Sequence, residues 1–223
     1  MMRTMRMFGS SVGTKLLLAF TGLALFGFLI VHLYGNLLAF LGPASYNEHA
    51  HELISNPLII PAELGLVAIF LTHIAKAIGN FGKNRSARPQ AYGVKKWAGG
   101  PSRKSVASTT MIWSGLSVLL FVVIHLKLFK YGPVFTEEAS GHRDLFRLLL
   151  DDFHKPGIVI FYVVAMLLVG LHLRHGISSA TQSLGIVPES KTMQVLRGGM
   201  ALAMIMAALF AIIPLAVYFG VIR

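Results

Sequence analysis

The chain contains no cysteine. That excludes disulfides, thiolate metal sites, cysteine-ligated iron–sulfur clusters and the C-x-x-C-H attachment of c-type haem. Charge is also scarce: 13% of the 223 residues are Asp, Glu, Lys or Arg, against about 25% in a soluble globular domain. Acidic residues are scarcest, with 9 Asp+Glu facing 20 Lys+Arg. What fills the gap is apolar: 55% of the residues are hydrophobic and the mean hydropathy is +0.67. This balance excludes disorder, a solenoid with a solvated face and an ordinary cytosolic enzyme. A net charge of +11 raises nucleic acid as a partner, and its distribution along the chain decides the matter.

About 20 apolar residues cross a bilayer core of roughly 30 Å. Five stretches qualify: Leu16 to Leu41, Leu58 to Ile78, Val106 to Phe129, Gly157 to Ser178 and Gly198 to Val221. The expectation is one all-α transmembrane domain over residues 1–223. The first stretch is too long for a secretory signal, and no small-x-small cleavage pattern follows it. It reads as a retained anchor.

Charge alternates between the connections. Arg3, Arg6 and Lys15 precede the first span, and Lys83, Arg85, Arg88, Lys95, Lys96, Arg103 and Lys104 follow the second, with no acid in either segment. The segment 42–57 instead has Glu48 and Glu52 without a base, and the one after the third span holds Glu137, Glu138, Asp144, Asp151 and Asp152. By the positive-inside rule the N-terminus is cytoplasmic and Arg223 lies outside. The inner half then carries +13 and the outer half −2. The charge is topology, and the sequence gives no reason to expect nucleic acid. The basic inner segment, Phe81 to Ser105, is either a headgroup-facing loop or a docking surface for a cytoplasmic partner.

Ionisable groups inside a span are costly and face the bundle interior. Of nine histidines, His32, His73, His125 and His172 each fall in a different span, and the fifth span has none. A single such residue reads as a hydrogen-bonded core histidine; four in four helices do not. His32 and His125 lie past the middle of outward-running spans, and His73 and His172 past the middle of inward-running ones. At 1.5 Å per residue they form two levels about 15 Å apart. Two neutral imidazoles from facing helices saturate the axial positions of a haem iron. The levels therefore predict an outer haem on His32 and His125 and an inner haem on His73 and His172. Zinc suits two histidines without a nearby carboxylate poorly. Gly35 and Gly176 lie on the ligand faces of their helices, where a flat ring could approach the backbone. His175 competes with His172 but lies deeper, where it suits a propionate or headgroup. His49, His51, His142 and His154 fall in outer connections and are expected to be solvated.

These residues resemble a known family, the single five-span cytochrome b anchor of di-haem succinate dehydrogenases and fumarate reductases (succinate:quinone oxidoreductases). The resemblance is carried by S-S-V-G-T-K-L-L-L-A-F-T-G at Ser10 to Gly22, V-H-L-Y-G-N-L at Val31 to Leu37 and N-P-L-I-I-P-A-E at Asn56 to Glu63. It continues with R-K-S-V-A-S-T-T-M-I at Arg103 to Ile112 and L-H-L-R-H-G-I-S-S-A-T-Q-S-L-G at Leu171 to Gly185. It implies two haem b groups on His32, His73, His125 and His172, with His172 preferred over His175. It also implies a bacterial cytoplasmic membrane location and flavoprotein and iron–sulfur subunits on the cytoplasmic side. A membrane quinone, menaquinone by this resemblance, would exchange electrons with the haems, and a higher oligomer is compatible with it. The dicarboxylate chemistry belongs to the flavoprotein, so this chain is the quinone-reactive part of the enzyme. Glu63 is the candidate quinone-site proton carrier, read as a buried carboxylate or as a helix N-terminal charge on the macrodipole. Lys127 at the outer level and Lys76 and Arg174 at the inner level are propionate candidates or snorkelling cations. Two rivals remain: the di-haem cytochrome b subunit of a formate dehydrogenase or hydrogenase, which usually has four spans, and a haem-free transporter that uses its histidines for protons.

Overall fold

The computed structural model describes residues 10–87, 110–138 and 140–223. Arg3, Arg6 and most of the basic segment, from Arg88 to Lys104, lie outside the described residues. Among the described residues seven α-helices follow in order: α1 (Ser11–Leu37), α2 (Pro43–Ser55), α3 (Ile59–Ser86), α4 (Met111–His125), α5 (Leu145–Phe153), α6 (Pro156–Leu184) and α7 (Thr192–Tyr218). The described residues form no strand, only one bridge pair between Thr136 and Arg143. Five helices are long and apolar enough to cross a membrane: α1 with its 3-10 extension to Leu41, α3, α4 extended to Lys130, α6 and α7. The expected five spans are present, with shifted ends. Lys83 and Arg85, expected in a loop, sit in the last turn of α3. Residues 106–109 of the expected third span lie outside the described residues.

Local chemistry explains several boundaries. The Ser10 hydroxyl accepts from the Gly13 N–H at 3.0 Å and starts α1, the usual N-cap bond. Gly42, at φ +97°, turns the chain into Pro43, whose missing N–H costs nothing in a first helical turn. Asp144 caps α5 through the Arg147 N–H at 2.9 Å. Past His125 the helix loosens into a π turn, Leu126–Lys130, a form that clusters at functional positions.

The four histidine-bearing spans form a ring in the order α1–α3–α4–α6. Neighbours α1 and α3, α1 and α6, and α4 and α6 pack closely, and α3 and α4 touch least. Consecutive spans run antiparallel, so the diagonal partners, α1 with α4 and α3 with α6, run parallel. α7 packs mainly on α6. Small residues set that contact: a Cβ added at Gly170 would stand 2.9 Å from the Ala207 Cβ, and one at Gly199 would stand 3.0 Å from Ile177. Close approach through small residues is how membrane helices gain dispersion energy without a hydrophobic drive. Most buried span residues lie in α6 and α7, whereas α3 and α4 have none.

One end of the bundle is covered by α2, α5 and the segment between α4 and α5; this is the capped end. Asn47, buried in α2, ties the cap together. Its amide donates to Glu137 at 2.6 Å and Asp144 at 2.8 Å, and its oxygen accepts from the Phe146 N–H at 2.9 Å. Arg143 donates to the Phe129 carbonyl at 3.0 Å, satisfying the end of the π turn. Hydrogen bonds from Ser140 and Asn47 hold the exposed Glu137 carboxyl below the usual glutamate range.

Two outcomes follow from this packing. Gly170→Val should separate α6 from α7 and destabilise the protein by about 1–3 kcal/mol, the usual cost of overpacking, read as a lower unfolding temperature in detergent. Because the Glu137 carboxyl is depressed, its stabilising contribution is present above the ordinary glutamate pKa of about 4.3 and is lost as pH falls through the lower folded value. Amide protection factors in residues 136–138 and 140–144 should therefore fall in that acid range, and Glu137→Gln should blunt the pH dependence.

Candidate functional site

Two of the four span histidines come together across one diagonal of the ring. His32 of α1 and His125 of α4 stand with ring centroids 5.8 Å apart and planes at 85°. On the other diagonal, His73 of α3 meets Thr21 of α1, and His172 of α6 meets Ser114 of α4. Along the helices, His32 and His125 lie near the capped end, while His73 is fourteen residues from the start of α3 and His172 sixteen from the start of α6. At 1.5 Å per residue the two pairs occupy separate levels, about 12–15 Å apart.

Aromatic rings surround the pair near the cap. Phe28 stacks on His32 at 5.4 Å, and Phe210 of α7 reaches the same imidazole at 6.0 Å. Phe121 and Phe129 flank His125 at 5.6 and 5.4 Å. The His125 Nδ1 meets the Tyr162 hydroxyl at 2.9 Å. Phe210 shows that the fifth span, which lacks a histidine, still contributes to this level. The Asn36 amide donates to the His32 carbonyl at 2.8 Å and only grazes His32 Nε2 at 3.4 Å.

Small residues build the second level instead. The His73 Nδ1 meets the Thr21 hydroxyl at 3.0 Å, and the His172 Nδ1 meets the Ser114 hydroxyl at 3.3 Å. Beside each hydroxyl is a glycine against the ring: a Cβ at Gly22 would stand 3.3 Å from His73 Cε1, and one at Gly115 would stand 3.4 Å from His172 Cε1. These bonds also tie α3 to α1 and α4 to α6, adding a polar tie to two contacts that are otherwise apolar.

This donor set fits haem iron. Three of the four imidazoles engage a hydroxyl through Nδ1, which leaves Nε2 as the nitrogen for a metal. Two imidazoles on opposite sides of one ion, each bonded at about 2 Å, have centroids roughly 6 Å apart, close to the His32–His125 spacing. Apolar and aromatic side chains surround the pair, as burial of a macrocycle requires. Among the described residues no three His, Cys, Asp or Glu side chains converge as they would around structural zinc; axial ligation of haem requires only two.

Several expectations need correcting. Glu63, read as buried, is exposed and forms an ion pair with Lys130 of the π turn, joining α3 to α4 where those helices otherwise touch least. A glutamate about one turn into α3 lies too near the helix start to be covered by neighbouring spans. Gly35 does not face a flat ring: His49 occupies the space beside it, with Nε2 3.2 Å from where a Cβ would stand. That His49 nitrogen is buried and lacks a hydrogen bond. His51 and His142 stack on each other at 3.5 Å rather than standing in water. No atom lies within 4 Å of a Cβ built at Gly176. Of the propionate candidates, Lys127 and Arg174 are exposed and Lys76 and His175 half-buried, and none is in an ion pair among the described residues.

Thr21, Gly22, Ser114, Gly115 and Tyr162 are site residues that histidine spacing missed. A signal existed for four of them, because a hydroxyl–glycine dipeptide occurs in both the first and the third span. Tyr162 carries no such signal, since tyrosine is common near span ends.

Tyr162→Phe removes one hydroxyl and leaves the ring packing in place. A double-mutant cycle with His125→Phe, read by unfolding in detergent, should give a coupling of about 0.6 and at most about 1.7 kcal/mol, the range for hydrogen bonds between membrane helices. A coupling of zero would mean that the two groups do not meet. Comparison of the chain with family models, with curated proteins and with solved structures found no match.

Proposed function

We propose that this chain is a di-haem cytochrome b that anchors a succinate:quinone oxidoreductase in the bacterial cytoplasmic membrane. It would carry electrons between a cytoplasmic flavoprotein and iron–sulfur pair and a membrane quinone. The observation that carries the reading is the facing of His32 and His125, two otherwise unrelated imidazoles from parallel spans, at a separation suited to one iron. The family resemblance supplies the partners and the quinone, and the absence of cysteine agrees with clusters held on another chain.

His32 and His125 would hold one haem b, and His73 and His172 the other. Bound there, a haem with both axial positions filled supplies a one-electron carrier closed to oxygen. The chain's own residues do the rest. The rings of Phe28, Phe121, Phe129 and Phe210 exclude water from the first pair. Lys127 would neutralise a propionate near the cap, and Lys76, Arg174 and His175 would do so at the opposite end, all within reach of the membrane surface. Glu63, ion-paired with Lys130 five residues past His125, would be the carboxylate that handles protons near the capped level, where quinone chemistry needs one.

With the N-terminus cytoplasmic, the capped end would face outward, and the basic stretch of the sequence from Phe81 to Ser105 would belong to the side of the soluble subunits. Basic residues there would steer an acidic docking surface.

A reduced-minus-oxidised spectrum of the purified chain should show low-spin b-type haem at two per chain, and absence of that signal would sink the reading. His125→Ala should remove one haem and retain the one held by His73 and His172. Loss of the latter alone would overturn the pairing. Co-purification with a flavin-containing, succinate-oxidising partner separates this reading from a formate dehydrogenase or hydrogenase subunit.

A further inference from the structure

We infer that Thr21 and Ser114 are positioning residues that lock His73 and His172 as Nδ1–H tautomers, presenting two Nε2 lone pairs at one level of the bundle. The inference rests on the haem reading for its consequence, although the tautomers themselves do not.

A hydroxyl has a single proton to give. The Thr21 hydroxyl donates to the Leu17 carbonyl at 2.6 Å, one helical turn back. The Ser114 hydroxyl donates to the Met111 carbonyl at 3.0 Å. With those protons committed to the backbone, each oxygen has only lone pairs left for the imidazole nitrogen beside it. The contacts at 3.0 and 3.3 Å are then hydrogen bonds only if the imidazole donates. Nδ1 of His73 and of His172 must therefore carry hydrogen. A neutral imidazole holds one proton, so Nε2 is left bare on both rings.

Gly22 and Gly115 complete the device. Each follows its hydroxyl residue in sequence and leaves the ring lying against the helix backbone, so the hydroxyl reaches Nδ1 from the side. The same dipeptide arrangement serves α3 from α1 and α6 from α4. At the other level, among the described residues, no backbone carbonyl takes the Tyr162 proton, so its bond to His125 leaves the donor direction open. The two levels thus differ in how firmly their imidazoles are set.

Hydrogen bonding at the second nitrogen raises the basicity of a metal-bound imidazole, and losing such a partner typically costs about 10–100-fold in metal affinity. A more basic ligand favours ferric iron. In the purified full-length chain, Thr21→Val and Ser114→Ala should each raise the midpoint potential of the same one of two haems and weaken its retention about 10–100-fold, with the other haem unchanged. Thr21→Ser keeps the hydroxyl and should restore the original potential. Unchanged potentials and retention in both variants, or a shift that serine does not rescue, would overturn the inference. A wild-type chain without b-type haem would sink the haem reading instead. Nitrogen-15 spectra of the haem-free, histidine-labelled chain provide an arm that needs no stable variant. His73 and His172 should show protonated Nδ1 and bare Nε2, and the opposite tautomer at either would overturn the assignment whatever the haem content.

Discussion

A polar group within a bilayer has no water to turn to, and everything distinctive about this fold follows from meeting that demand inside the protein. The backbone meets it with helices. The four imidazoles meet it through one ring pair, His32 with His125, and through three hydroxyls across the ring of spans. Thr21, Ser114 and Tyr162 each place an oxygen against an Nδ1 on a neighbouring helix. These bonds do structural service where apolar packing is thinnest, since α3 and α4 contain no buried residue. The polar groups that make the site possible are also ties that keep its helices in place.

The bundle divides its labour accordingly. α6 and α7 meet through Gly170, Ala203 and Ala207 and form the rigid side. The capped end is fixed by Asn47, which joins α2 to the α4–α5 connection and to the first N–H groups of α5. Against that frame the histidine levels differ. One is lined by aromatic rings that fill volume, and the other by glycines and hydroxyls that let backbone and imidazole approach. A level built from large rings and one built from small residues impose different dielectric surroundings on whatever they hold, which is how one fold could set two redox centres apart.

Much of this was legible in the chain before its structure. Hydropathy located all five spans, because about 20 apolar residues in a row have few other uses. Depth along alternating helices paired His32 with His125, the two rings found facing. What escaped was anything that depends on rotation about a helix axis. Gly35 lies three residues after His32, yet it seats His49, because α2 folds back over the end of α1. Glu63 sits in an apolar run and still pairs with Lys130, because it is near the start of α3. Amphipathic α2 and α5 were read as connections, since nine to thirteen residues leave a weak periodic signal between long apolar runs. The hydroxyl partners were hidden for a related reason: Ser and Thr are ordinary in membrane helices, and only their neighbours show what they accept.

The diagonal arrangement has a consequence for biogenesis. Each pair joins a span to the next but one, so neither is complete when its first member enters the membrane. His32 waits for a histidine 93 positions later in the chain, and His73 for one 99 positions later. In vectorial synthesis the level near the cap closes when α4 inserts, and the other only after α6. Two cofactors would then be loaded in a fixed order, with the nascent chain itself as the timer.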